Sequence, residues 1–261
     1  MSELGTPHRG TTTTPGDPVY NFITLAAIYF NMSTMQLEAE MRGDWGTESK
    51  ELDNIVNQLR RRQQFDILFA QRATWSDADE QQVYQGAGLV QQLQDYVLNA
   101  GSSGNTLSWK NLNDFIEPMF ESSLSAMEKN AFFGSALFRD ALNVARDVGR
   151  VMLIEGRETY YEPELGSNAC TLSTDSGKRV VVREEKWAFG GKLSDWGIVL
   201  DSNNMGAGQY RGMGEQVFAN IQAPREITTL SHAVLTSWGV NVYDDSTMGV
   251  VRGGTKGLIN R

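Results

Sequence analysis

The sequence predicts an α+β protein whose longest helix comes early and whose strands gather towards the C-terminus. Three observations predict this. Residues 47–72, TESKELDNIVNQLRRRQQFDILFAQR, combine freedom from Gly and Pro with a helical apolar period. Residues 19–41 are dense in β-branched and aromatic side chains and then alternate apolar with polar. From Arg150 onwards, β-rich segments separated by turns dominate the chain. Hairpin, long helix, short helices and then strands is a segregated order, unlike the repeating βαβ pattern of parallel-sheet folds.

Residues 1–18, MSELGTPHRGTTTTPGDP, hold Thr, Gly and Pro with almost no large apolar side chain, so they read as an extended arm with no core of its own. In the next segment, β-formers run from Val19 to Phe30, and Met35, Leu37, Ala39 and Met41 alternate with Gln36, Glu38, Glu40 and Arg42. Two strands joined through residues 31–34 fit this pattern, giving a long hairpin. A hairpin without a third strand is marginal in water, so its apolar residues are expected to need a partner surface.

The helix at 47–72 places Leu52, Ile55, Val56 and Leu59 at i, i+3, i+4 and i+7, with Phe65, Leu68 and Phe69 continuing the apolar set. Thr47 or Ser49 can cap its start, and Glu48 and Glu51 put negative charge in the first turn. Arg60, Arg61 and Arg62 follow; on a helix they point in three directions about 100° apart. Residues 86–99, GAGLVQQLQDYVLN, suggest a short helix before the flexible GSSG at 101–104. Thr106 or Ser108 can cap a helix running to Phe120, with Pro118 limiting the regularity of its end. Another helix is expected from Ser135 to Arg150.

The chain has 261 residues, enough for a full core in one large domain or two. A single cysteine, Cys170, permits neither an intramolecular disulfide nor a cysteine-based zinc site, which fits a reducing compartment. No basic segment precedes an apolar N-terminal run, and no run approaches about 20 apolar residues, so neither a signal peptide nor a membrane span is expected. The net charge of -9 argues against a dedicated nucleic-acid binder, whose phosphate contacts need a basic field.

The residues do not assemble into a catalytic constellation. His8 and His232 are the two histidines, and Ser231 beside His232 is no dyad, because neighbours on a strand point to opposite faces. The glycines at 86–88 lack the preceding strand and the third glycine of a dinucleotide fingerprint, and Gly190-Gly191-Lys192 lacks the Walker spacing. Residues 205–214, MGAGQYRGMG, read as a mobile glycine-rich loop, the best place for a phosphate if the chain binds one. Glu155, Glu158, Glu162 and Glu164 form an acidic stretch without metal-ligand spacing, which reads as a solvated loop. No cofactor and no metal are expected.

The order of elements carries a resemblance. The arm, the hairpin with MSTMQLEAEM, the helix LDNIVNQLRRRQQFDILF, the segment QGAGLVQQLQDYV, the strand pair in KWAFGGKLSDWGIVLDSNNM and the closing APREITTLSHAVLTSWGVNVYDDSTMGVVRG together resemble the major capsid proteins of tailed bacteriophages with the HK97 fold. The resemblance covers about residues 20–252 and is one of architecture. It implies an N-terminal arm at 1–18, an extended hairpin loop at 19–46 and a peripheral domain at 47–104 carrying the spine helix. It further implies an axial domain at about 105–225, with return strands and the C-terminal tail at 226–261.

The function implied is a non-enzymatic shell protein that self-assembles into hexamers and pentamers of an icosahedral head around double-stranded DNA, which it touches only non-specifically. Residues expected at intersubunit contacts are Tyr20, Phe22, Ile28, Tyr29, Phe30, Met35, Leu37, Met41, Arg60, Arg61 and Arg62. The partners implied are further copies of the chain, a separate scaffolding protein, a portal and a decoration protein, with no membrane; the place is the virion capsid, assembled in host cytoplasm. Residues 20–45 hold no lysine, so a lysine-asparagine cross-link from that loop is not available. The competing readings are an encapsulin-like shell of the same fold, a decoration or connector protein, and an α+β enzyme binding a phosphorylated ligand at 205–214.

Overall fold

The computed structural model describes residues 21–33, 48–76, 82–100, 107–154, 156–163, 166–209, 215–218 and 229–253. Two sheets and one long helix organise them. The smaller sheet is built on a fourteen-residue strand, β13 (Thr229–Val242). Its antiparallel neighbours are β1 (Thr24–Ser33), β11 (Met205–Gly208) and β12 (Gln216–Phe218). β1 runs in register with β13 from Thr24 opposite Trp238 to Ser33 opposite Thr229.

The larger, mixed sheet takes the order β4 (Val97–Ala100), β14 (Gly249–Gly253), β10 (Gly197–Leu200), β5 (Glu128–Phe133), β9 (Arg179–Glu184), β8 (Ser167–Ser173) and β6 (Val151–Met152). β7 (Tyr160–Glu162) also pairs with β8. A separate short hairpin joins β2 (Ala73–Ser76) to β3 (Gln82–Gln85).

The helix expected first is present as α1 (Glu48–Phe69), 22 residues long. It serves both sheets because its apolar residues turn about the axis along its length. Ile55 and Leu59 are buried with Ala26, Val234 and Trp238 on the small sheet. Leu68 and Phe69 pack instead with Ile198 and Val250 of the large sheet and with Phe189 of the connection between β9 and β10. Phe65 lies about 120° round from Leu59 at about 100° per residue, and it remains half exposed, stacked on Phe69 at 5.0 Å. The apolar set read from the sequence is therefore two faces rather than one.

The 86–99 helix is a correction. Only α2 (Leu89–Gln92) is helical, four residues, and Val97–Ala100 is β4, parallel to β14. A helix this short has no stability of its own. Gly88 sits where an added Cβ would meet the backbone of Leu68 and Ala70, and its N–H bonds the Ala70 carbonyl at 2.7 Å. Tertiary packing thus sets this segment's course.

α3 (Trp109–Ile116) starts at Ser108, whose hydroxyl accepts from the Asn111 N–H at 3.2 Å. It passes into a 3-10 turn, Glu117–Phe120, at Pro118 as expected. α4 (Ser135–Asp147) ends at Gly149, which takes a positive φ of 68° suited to a residue without Cβ. Both helices cover one face of the large sheet, with Leu112, Phe115, Phe138 and Ala141 against Ala131, Phe133, Leu172 and Val182. The opposite face receives α2 and the end of α1. The large sheet is the middle layer of a three-layer sandwich, and it contains β4 and β14 as well as strands from 128–200.

Candidate intersubunit interface

The base of the predicted projection is fastened to the body by amide side chains. Asn21 Nδ2 donates to the carbonyls of Ala87 at 2.8 Å and Val240 at 2.6 Å, and its Oδ1 accepts from the Ala87 N–H at 2.6 Å. Gln92 Nε2 donates to the same two carbonyls at 2.9 and 3.0 Å, while its Oε1 accepts from the Val242 N–H. Gly86 and Gly239 let the Phe22 backbone pass close by, since a Cβ on either would meet the Phe22 carbonyl. Phe22 stacks at 5.0 Å on Tyr84.

Beyond this root, β1 is not an unsupported hairpin strand. It pairs with β13 and lays Ala26 and half-buried Ile28 under α1, so the expectation that these residues need a neighbour is corrected for Ile28. Phe30 lies opposite His232, which is buried. Tyr20, Met35, Leu37 and Met41 fall outside the described residues, as do His8 and the segment expected to form the hairpin's second strand.

Directly opposed residues of antiparallel strands share a face. Tyr29 faces Ala233 and Ala233 faces Phe218, so the three form one row on the face away from α1. Tyr29 is 73% exposed, Phe218 44% and Leu25, two residues before Ala27 on the same face as Tyr29, 47%. Among the described residues this is an apolar sheet face left open while the reverse face is covered by α1. Leu25 and Phe218 were missed in the sequence. Leu25 sits in the predicted strand and its facing follows from alternation with Ala26; β12 is three residues long and carries no pattern of its own.

The three arginines diverge as helical geometry requires. Arg60 makes two bonds to Glu215 at 3.0 and 3.1 Å, tying α1 to β12. Arg61 stacks over the exposed Trp187 ring at 4.0 Å, and Arg62 pairs with Asp66 at 3.6 Å. All three keep exposed surface.

The places considered for chemistry are occupied by structural work. Residues 205–208 are a strand rather than a loop, which corrects the first part of the glycine-rich reading. Gly206 lies under the Tyr243 ring and Gly208 against Ile23, so these glycines make room for side chains; residues 210–214 are outside the described set. Glu158 pairs with Arg146 at 2.6 Å and Glu162 with Arg183 at 2.7 Å. Among the described residues no cluster of His, Cys, Asp or Glu could hold a metal, and no helix is long and apolar enough to cross a membrane. Burial pushes the Cys170 thiol up to about 12, which leaves it unreactive at neutral pH.

One buried ion pair stands apart. Lys129 Nζ lies 2.7 Å from Asp201 Oδ2, with both side chains fully buried, and it also donates to Ser125 Oγ. Burial alone would raise the Asp201 pKa. Hydrogen bonds from Lys129 and from the N–H groups of Ala126 and Asn203 outweigh it and hold the carboxylate below its usual range. Burial pulls Lys129 down from its own usual value, the opposite sense for the pair. We assign the charged state from the carboxylate, whose oxygens are met by donors on three sides.

A spine helix bridging a long-stranded sheet and a helix-covered mixed sheet, with a fastened β-arm whose outer face is open, defines a shell-building protein of the HK97 fold. Solved shells share this architecture. The capsid of the native GTA particle matches with a TM-score of 0.59 at 9% identity, over 95% of this chain and 81% of that one. The SrpI encapsulin of Synechococcus elongatus matches with a TM-score of 0.54 at 9% identity, over 88% and 73%. Mycobacterium phage Patience gives 0.51 at 14% identity, over 98% and 77%. A search of the curated proteins found no match.

The family model for the SU10 major capsid protein matches residues 5–252, and the chain belongs to that family. It is a major capsid protein, a structural component that assembles with copies of itself into the icosahedral shell of a phage virion.

Proposed function

We propose that each copy joins its neighbour through the open face of the β1–β13–β12 sheet, together with the loop that continues from β1. The observation that carries this is the row Tyr29, Ala233, Phe218, with Leu25 beside it: large apolar side chains on a rigid three-stranded platform, covered by nothing in the described chain. Because one copy presents the loop and another receives it, the contact is heterologous and closes into rings, here hexamers and pentamers. In this reading Tyr29 acts with Tyr20, Phe30, Met35, Leu37 and Met41, and Arg60 to Arg62 add polar contacts at the margin. Residues 47–104 and 226–261 form the peripheral domain and residues 105–225 most of the axial one.

The closed head encloses double-stranded DNA, and a net charge of -9 for the chain as a whole suits a shell that does not hold it tightly. A separate scaffolding protein, a portal and a decoration protein complete the particle, which assembles in the host cytoplasm. The test is the pair Leu25→Asp and Tyr29→Asp in one chain, compared with the parent by circular dichroism, sedimentation velocity and electron microscopy. An unchanged spectrum with loss of closed particles is expected. Closed particles of normal size from the double variant would overturn the assignment of this face.

A further inference from the structure

We propose that the turn at residues 121–128 of one copy seats Leu124 in the apolar cavity between α1 and the large sheet of a neighbouring copy. The cavity has a volume of about 230 Å³. Its walls include Ile67 and Leu68 of α1 and Phe132, Ile198 and Leu200 of the sheet; Gln64, Glu185 and Ala188 also line it. A cavity of about 150 Å³ can hold a benzene ring, so this one has room for a leucine side chain, which gains by leaving water.

Three observations point to this turn as the occupant. It presents aliphatic side chains to water: Leu124 is 63% and Met127 79% exposed. It is also held stiff. The Ser125 N–H donates to the Ser122 carbonyl at 3.0 Å, and the Ala126 N–H donates to Asp201 Oδ2 at 2.8 Å. Asn204 Nδ2 donates to the Leu124 carbonyl at 2.9 Å, and Lys129 Nζ donates to Ser125 Oγ at 2.7 Å. The buried Lys129–Asp201 pair therefore fixes a surface turn, and an anchor fixed in advance loses little freedom when it docks.

The third observation is charge. Glu121 and Glu128 are exposed at the two ends of the turn, and Ser122 Oγ donates to Asp244 Oδ2 at 3.2 Å, so the surroundings of Leu124 are acidic. Beside the cavity, Arg61 stacks over Trp187, and Lys186 and Lys192 are exposed on the same 184–192 connection. The Glu185 carboxylate is already engaged by the N–H groups of Trp187 and Ala188. Leu124 is the anchor rather than Met127, because Lys178 Nζ lies 3.8 Å from Met127 Sδ and brings positive charge to that side.

A chain does not fill its own cavity, since none of residues 121–128 lines it. The shell supplies the second copy, which offers a turn to one neighbour and a cavity to another. The contact uses neither Tyr29 nor Phe218, so it and the open-face reading stand or fall separately.

The test places Leu124→Cys and Ala188→Cys together in the full-length chain and treats the assembled particles with a mild oxidant. The buried Cys170 thiol, pushed up to about 12, does not compete. The expected result is links between chains in most copies, joining position 124 to position 188 by peptide mass and running as a ladder on a non-reducing gel. A control pairing Leu124→Cys with Lys110→Cys, on α3 across the sheet, should link far less. A second measurement needs no substitution: in the parent, amide exchange over residues 64–68, 122–127 and 185–189 should slow on passing from the unassembled chain to the particle. Links within one chain, links no more frequent than the control, or unchanged exchange at either the turn or the cavity would each overturn the proposal.

Discussion

Asn21 and Gln92 donate to the same two carbonyl oxygens, those of Ala87 and Val240, although 71 residues separate them in the chain. The two amides lock the start of the β-arm, the 86–88 passage and the end of β13 to one another. Their effects must therefore be coupled. Asn21→Ala leaves the buried Ala87 N–H without its acceptor and should cost about 1–3 kcal/mol. Gln92→Ala does the same to the Val242 N–H. In a double-mutant cycle by urea denaturation the two should be non-additive by more than about 0.5 kcal/mol; additive losses would show that the shared carbonyls do not couple them.

Removing one partner of the Lys129–Asp201 pair should be among the most damaging single changes. Lys129→Met leaves a buried carboxylate without its countercharge, at a cost of about 3–5 kcal/mol. Since the folded Asp201 pKa lies below its usual value, its contribution is full above the unfolded value of 3.8 and is lost as pH falls through the folded one. The acid limb of the parent's stability curve should flatten in Asp201→Asn. An unchanged acid limb would contradict the assignment.

The Asp245 carboxyl shows the opposite sign. Burial, then the neighbouring Asp95 and Asp244 carboxylates, raise its pKa above 3.8. A group raised in this way binds its proton more tightly when folded, so stability is lost as pH climbs from the unfolded value through the folded one. Asp95→Asn relieves the repulsion and should raise stability at pH 7 by less than about 1 kcal/mol, with no gain at pH 3. Thermal melts at the two pH values decide it.

Gly88 and Gly206 separate two costs of adding one methyl group. At Gly88 the new Cβ meets the backbone of Leu68 and Ala70, which α1 holds in place, whereas at Gly206 it meets the end of Tyr243, an exposed side chain free to swing. Gly88→Ala should cost about 1–3 kcal/mol and Gly206→Ala well under about 1 kcal/mol. Equal losses would mean that Tyr243 is held more firmly than its exposure implies.

The spine helix is the folding anchor of both sheets. Leu59, 2% exposed between α1 and the small sheet, should cost about 2–5 kcal/mol as Leu59→Ala, whereas Phe65→Ala at the half-exposed position should cost clearly less. A reversed order would place the main apolar contact on the other side of the helix.

The sequence by itself determined the local elements and the class of fold. The period at 52, 55, 56 and 59 is strong enough to specify α1 without help, Ser108 marks a helix start through its own side-chain chemistry, and the strand-rich C-terminal half follows from β-branched runs. Tertiary structure decided what those elements meet. Residues 86–99 carry a helical period, yet only four of them are helical, because Gly88 must touch the backbone of Leu68 and Ala70 and β4 must pair with β14. The glycines of 205–208 resemble a ligand loop in one dimension and prove to be a strand fitted under Tyr243 and against Ile23. Which face of β1 stays open could not be read from its own residues, since Ile28 and Tyr29 are equally apolar in outline. The difference arises only when β13 fixes the register and α1 lies across one face, because burial depends on contacts between segments as far apart in the chain as Thr24 and Trp238 and no local pattern encodes them.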